Sequence, residues 1–122
     1  MSDHRQIVQA YLEGWRQKDL ARIQTHLHPN VTFKGPIAEI AGREDFTAAV
    51  QRMLGLLKDV EVRGIFEDGD RVVAIYDLVF VEPIGRARTA DLLTFADGTI
   101  RSSEAFFDAR PFEAAQRQRA AS

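Results

Sequence analysis

Three side chains carry most of the chemistry this sequence offers. Asp91 interrupts the apolar run Ala90-Asp91-Leu92-Leu93-Thr94-Phe95. Asp77 interrupts the equally apolar run 72–81. Tyr11 stands one helical turn before Trp15. An ionised carboxylate is costly to bury without partners, and such a group takes up a proton instead. A carboxylic acid kept neutral near pH 7 can donate a hydrogen bond to a developing oxyanion or act as a general acid. Asp91 is therefore a candidate polar anchor of a pocket, with Asp77 as an alternative acid or base, and Tyr11 with Trp15 is a candidate for its lining.

What Asp91 faces depends on the turn in "FADGT". A two-residue Asp97-Gly98 loop pairs Ala96 with Thr99 and sets Asp91 opposite Glu104, as a carboxylate pair. A three-residue Ala96-Asp97-Gly98 loop, with Gly98 left-handed in a bulge, pairs Phe95 with Thr99. Asp91 then faces Ser103 beside Ala105, on a side shared with Leu93, Phe95 and Phe107. Glu104 falls opposite Ala90. A one-residue slip exchanges the two faces, so only one register holds. The three-residue loop is favoured.

The elements that must position these groups follow from periodicity. Ile7, Val8, Tyr11, Leu12 and Trp15 form a helical stripe, giving helix 1 over residues 4–17. Asp19 caps a short helix carrying Leu20, Ile23 and Leu27, ended by His28-Pro29-Asn30. Val31-Thr32-Phe33 is a short strand closed by Gly35-Pro36. Phe46, Val50, Met53, Leu54 and Leu57 mark a third helix after Gly42. Strands are expected over 60–66, 71–82, 86–96 and 99–107, separated by turn-type stretches. The polar end, 114–119, should fray. Helices followed by an antiparallel meander predict a single α+β domain over residues 1–122, with helices on one face of the sheet. Run 71–82 is apolar on both faces. Helices cover one, and a second copy of the chain is the simplest cover for the other.

Bulk properties remove several classes of function. The 122 residues suit one domain. The formal net charge of −2 argues against nucleic acid and anionic membranes. The absence of cysteine excludes disulfides, thiolate catalysis and cysteine metal sites. No run approaches the length of a membrane span, and the N-terminus lacks a secretory pattern, so a cytoplasmic location is expected. His26 and His28, at i,i+2, do not face each other, and no metal is expected. No phosphate-binding glycine loop or Ser-His-Asp order occurs, and no cofactor is expected. Lys34 reads as a surface amine.

The stretches "YLEGWRQKDL…LHPNVTF", "AGREDFTAAV" and "TFADGTIRSSEAFFDARPF" together resemble the NTF2-like superfamily. The nearest branch is the SnoaL-like group, which includes ketosteroid isomerases, polyketide cyclases and limonene-epoxide hydrolases. The resemblance implies a cone: three N-terminal helices packed on a strongly curved, mainly antiparallel sheet that encloses a pocket, often in a dimer. It implies an isomerase or cyclase-type reaction on a hydrophobic carbonyl or polycyclic substrate. Tyr11 and Asp91 match the isomerase oxyanion pair, whose neutral aspartic acid is a well-known case of a carboxyl held protonated by an apolar site. The isomerase base falls at Gly35 and is missing. In the epoxide hydrolases' Asp-Arg-Asp set, Asp77 falls at one aspartate, but Ile75 and Ala105 occupy the other two places. The pocket implied is lined by Trp15, Phe33, Met53, Leu57, Leu93, Ser103, Ala105 and Phe107. A non-catalytic ligand-binding or dimeric interaction domain of the same fold is the alternative.

Overall fold

Tyr11, Val8 and Leu12 bury one stripe of helix α1 (His4–Arg16) against the sheet. The chain reverses at Lys18, and the Asp19 carboxylate accepts a hydrogen bond from the Arg22 amide at 3.1 Å, capping α2 (Leu20–Thr25). The two helices touch at Gly14, where a Cβ would lie 3.1 Å from Ile23 Cγ1. The computed structural model describes residues 3–121. Strands β1 (Leu27–Lys34) and β2 (Glu39–Ala41) precede helix α3 (Arg43–Leu54). Then come β3 (Leu57–Asp68), β4 (Arg71–Phe80), β5 (Arg86–Ala96) and β6 (Thr99–Phe106), and helix α4 (Arg110–Ala121). The chain is α+β, with the three N-terminal helices as expected.

The strands form one six-stranded sheet in the order β2-β1-β6-β5-β4-β3, with β1 and β6 parallel and the other pairs antiparallel. Register shifts interrupt the β1–β6, β3–β4 and β5–β6 ladders. Each such irregularity bends and twists its strand, and together they curl the sheet without closing it. The concave face takes Val72, Ala74, Tyr76, Leu78 and Phe80 from β4, with Leu93 and Phe95 from β5. Helices pack into that hollow.

Four elements depart from the expected boundaries. Leu27 opens β1, opposite Ile100, instead of closing the second helix. Leu57 opens β3, because α3 stops at Leu54 before Gly55. The short β2 pairs with β1 and was not foreseen. The polar end folds as α4, because Phe112 and Ala115 anchor it to the core. No helix among the described residues is long and apolar enough to cross a membrane.

Leu93 is fully buried in this core. Leu93→Ala should therefore lower unfolding free energy by about 2–5 kcal/mol in urea titrations. A loss below about 1 kcal/mol would contradict its place in the packing.

Candidate functional site

The turn that orients Asp91 has two residues. Asp97 and Gly98 both take positive φ, at 54° and 77°, and Ala96 pairs with Thr99. The three-residue loop expected from sequence is thus incorrect. The two-residue turn alone would set Asp91 opposite Glu104. One extra residue, Arg101, prevents this: Phe95 pairs with Ile100, but Thr94 pairs with Ser102. Beyond that bulge Asp91 faces Ala105, Leu93 faces Ser103, and Glu104 faces Leu92 on the convex side. The expected company of Asp91 survives, reached by a different route.

Asp91 is 4% exposed, and both its oxygens are occupied. Tyr76 Oη donates to Oδ2 at 2.8 Å, and Ser103 Oγ donates to Oδ1 at 2.8 Å. Burial raises the Asp91 pKa to about 6, against the smaller opposing effect of the Ser103 and Tyr76 hydrogen bonds. Burial, and next the Asp91 charge, also pushes the Tyr11 phenol well above its ordinary range. The Trp15 indole N–H opposes that shift slightly, yet it lies outside hydrogen-bond geometry and has no acceptor among the described residues.

These groups look into a cavity of about 130 Å³. Helix α1 supplies Tyr11 and Trp15, and α3 supplies Phe46, Ala49, Val50 and Met53. The β1–β2 hairpin adds Phe33, Ile37, Ala38 and Ile40. The sheet adds Tyr76, Leu78, Ala87, Thr89, Asp91, Ser103 and Ala105, and Phe107 and Phe112 complete the wall. Asp91 is the ionisable carboxyl among them. The Thr89 hydroxyl donates to the Ala87 carbonyl at 3.2 Å.

Tyr11, Trp15, Phe33, Met53, Ser103, Ala105 and Phe107 line this cavity together with Asp91. Leu57 and Leu93 do not line the cavity and are buried core residues. Asp77 belongs elsewhere. It pairs with Arg88 across β4–β5, on the convex face, while its neighbour Tyr76 faces inward. Arg86 and Arg88 donate to its carboxylate at 2.8–3.2 Å, and Arg63 lies 3.6 Å away. These arginines cover it completely and, led by the Arg88 hydrogen bond, hold its pKa down to about 2. Ile75 shares that convex face, so neither residue can contribute to a hydrolase set in the cavity.

Gly35, the position the resemblance matches to the isomerase base, is crowded by a ring. A Cβ on Gly35 would lie 2.8 Å from Phe33 Cζ and 3.0 Å from Cε2. The Phe33 ring takes the space a carboxylate side chain would need. The sequence reading missed Tyr76, the direct partner of Asp91, because it fixed no β4–β5 register. The alternation of β4 does place Tyr76 on the face opposite Asp77. Phe112 was missed because its helix reads as a polar tail.

A SnoaL-like domain model matches residues 8–103, and the chain belongs to that family. A protein of Kribbella flavida DSM 17836 is similar at 27% identity over 97% of both chains, with a TM-score of 0.86. An NTF2-like protein of unknown function from Cytophaga hutchinsonii is 24% identical over 93% of this chain and 96% of its own, at TM-score 0.81. An LEH-like epoxide hydrolase from M. tuberculosis shares the fold at 19% identity, over 93% and 89% of the chains, at TM-score 0.75. No curated protein matches.

The Asp91 environment sets a pH signature. Its folded pKa of about 6 lies above the unfolded value, so the folded state binds the proton more tightly between pH 4 and 6. Stability contributed at this site is therefore full below pH 4, falls as pH rises, and is lost above pH 6. The difference in unfolding free energy between wild type and Asp91→Asn should drop by about 3 kcal/mol across that window. Parallel urea-stability profiles would show that Asp91 is not held this way.

Proposed function

We propose that this SnoaL-like domain binds a hydrophobic carbonyl compound and catalyses proton transfer on it, with Asp91 as the acid–base group and Tyr11 as the hydrogen-bond donor. The supporting observation is one carboxyl, pKa about 6, at the wall of an otherwise largely apolar cavity. Above that pH Asp91 is ionised. Two donated hydrogen bonds suit the carboxylate, which favours a base over a permanently neutral acid. Asp91 would take a proton from the carbon next to the carbonyl. Tyr11, kept protonated by its raised pKa, would donate to the developing enolate oxygen. The protonated Asp91 would then return the proton to another carbon of the same substrate. One group serves as base and acid in turn, so the side chain missing at Gly35 is not needed.

On a responsive cyclic enone, Asp91→Asn should lower kcat by about 10²–10⁴-fold. Asp77→Asn should stay within about threefold of wild type, since Asp77 is outside the cavity. Wild-type kcat/KM should rise with pH through about 6. Turnover untouched by Asp91→Asn would overturn the assignment. The alternative, a binding domain without catalysis, draws on the Phe33 ring standing where the family's base would be. It calls for saturable ligand binding with no turnover in isomerase, cyclase and hydrolase assays.

The convex face supports a homodimer. Phe66 is 65% and Phe106 55% exposed there, beside Val73 and the half-buried Ile75 and Leu92. Isolated exposed apolar residues are ordinary, but a contiguous patch on a twisted sheet favours burial against a copy of itself. Sedimentation velocity should give a dimer for the wild type and a monomer for Phe66→Asp/Phe106→Asp. A monomeric wild type would remove the proposal.

A further inference from the structure

We propose that the cavity is a one-ring site, shaped for a monocyclic ligand carrying a single hydrogen-bonding oxygen, with Phe33 and Phe112 as the side chains that set this limit. The inference rests on the reading of the cavity as a ligand site and narrows the substrate class. Its volume is about 130 Å³. A dry apolar cavity of roughly 150 Å³ takes up benzene, so the space within these walls is on the scale of one six-membered ring.

The walls that fix this size are rings locked by other rings. Phe33 stands edge-on to Phe46, with centroids 5.9 Å apart. It lies over Gly35, which has no side chain to displace it. Phe112 stands edge-on to Phe80 at 5.4 Å and to Phe107 at 5.3 Å. Such edge-to-face arrangements favour one ring orientation. Phe112 also comes from α4, so the C-terminal helix trims the space left by the sheet and the first three helices.

The polar inventory limits the ligand's oxygens as the rings limit its size. Both Asp91 oxygens already accept hydrogen bonds, and the Thr89 hydroxyl is spent on a backbone carbonyl. The Tyr11 hydroxyl remains as a donor on the α1 wall. One free donor suits one acceptor oxygen. The rest of the wall offers almost nothing polar.

Phenol, 2-naphthol and 1-hydroxypyrene keep one hydroxyl and enlarge the ring system. Their binding to the full chain can be followed by calorimetry and by fluorescence of the single tryptophan, Trp15. Wild type should bind phenol at least tenfold more tightly than 1-hydroxypyrene. Phe112→Ala, and separately Phe33→Ala, should improve 1-hydroxypyrene binding at least tenfold and so narrow or reverse its disadvantage against phenol. Phe112→Leu, which keeps an apolar anchor for α4, should give a smaller gain in the same direction and covers any folding failure of the alanine variant. Equal or tighter binding of 1-hydroxypyrene by wild type overturns the proposal, as does an unchanged ranking in the variants. Size-ranked binding without Asp91-dependent turnover upholds the size limit and sinks the catalytic reading. Turnover of polycyclic enones that depends on Asp91 does the reverse. No binding of any of the three overturns the size limit and the ligand site together.

Discussion

Asp91 sits in a place from which water is largely excluded, held by one hydroxyl from each neighbouring strand. A buried carboxyl left unpaired would be strongly destabilising, so Tyr76 and Ser103 must both reach it. That requirement constrains the sheet on both sides. The β4–β5 register has to set Ala74 opposite Asp91, with Tyr76 on the diagonal. The β5–β6 ladder has to carry its extra residue at Arg101, or Glu104 would face Asp91 instead. The bulge that provides the correct register also bends the strand and helps curl the sheet around the cavity. Site chemistry and sheet curvature therefore share one structural cause.

Asp77 and Asp91 show how far environment decides the behaviour of one residue type. Both are almost inaccessible to solvent. Asp77 lies under arginine side chains whose charges and hydrogen bonds keep it ionised, with a pKa of about 2. Asp91 has neutral partners, so burial dominates and its pKa rises to about 6. One carboxylate is a fixed charge tying β3, β4 and β5 together on the convex face. The other can gain and lose a proton near neutral pH. The strand alternation that separates them decides which can take part in proton transfer.

The SnoaL-like fold alone does not choose a reaction, because function resides in the side chains placed in the cone. In this chain the aromatic residues make much of that choice. Phe33 fills the space over Gly35, and Phe112 closes the wall from the C-terminal helix. They leave a small, nearly apolar hollow whose wall carries the Asp91 carboxyl and the Tyr11 phenol.

Much of this was legible in the chain itself. Helical stripes in α1 and α3, the Asp19 cap and the apolar alternation of β4 and β5 follow from local periodicity, which short-range sterics and burial enforce. Composition removed disulfide and thiolate chemistry outright. Asp91 was nameable because a carboxylate in an apolar run is conspicuous, whereas Tyr11 and the expected lining residues came from the family resemblance. The boundaries at Leu27 and Leu57 were not, since an apolar residue at an element's end fits helix and strand equally well. Nor was the helical tail, whose order depends on where Phe112 can dock. Above all, the bulge at Arg101, the inward turn of Tyr76 and the outward turn of Asp77 were decided by strand pairing. Pairing is a contact between residues distant in sequence, and a shift of one residue reverses every face. The sequence alone thus determined which groups were available to react, and only the tertiary structure decided which of them meet.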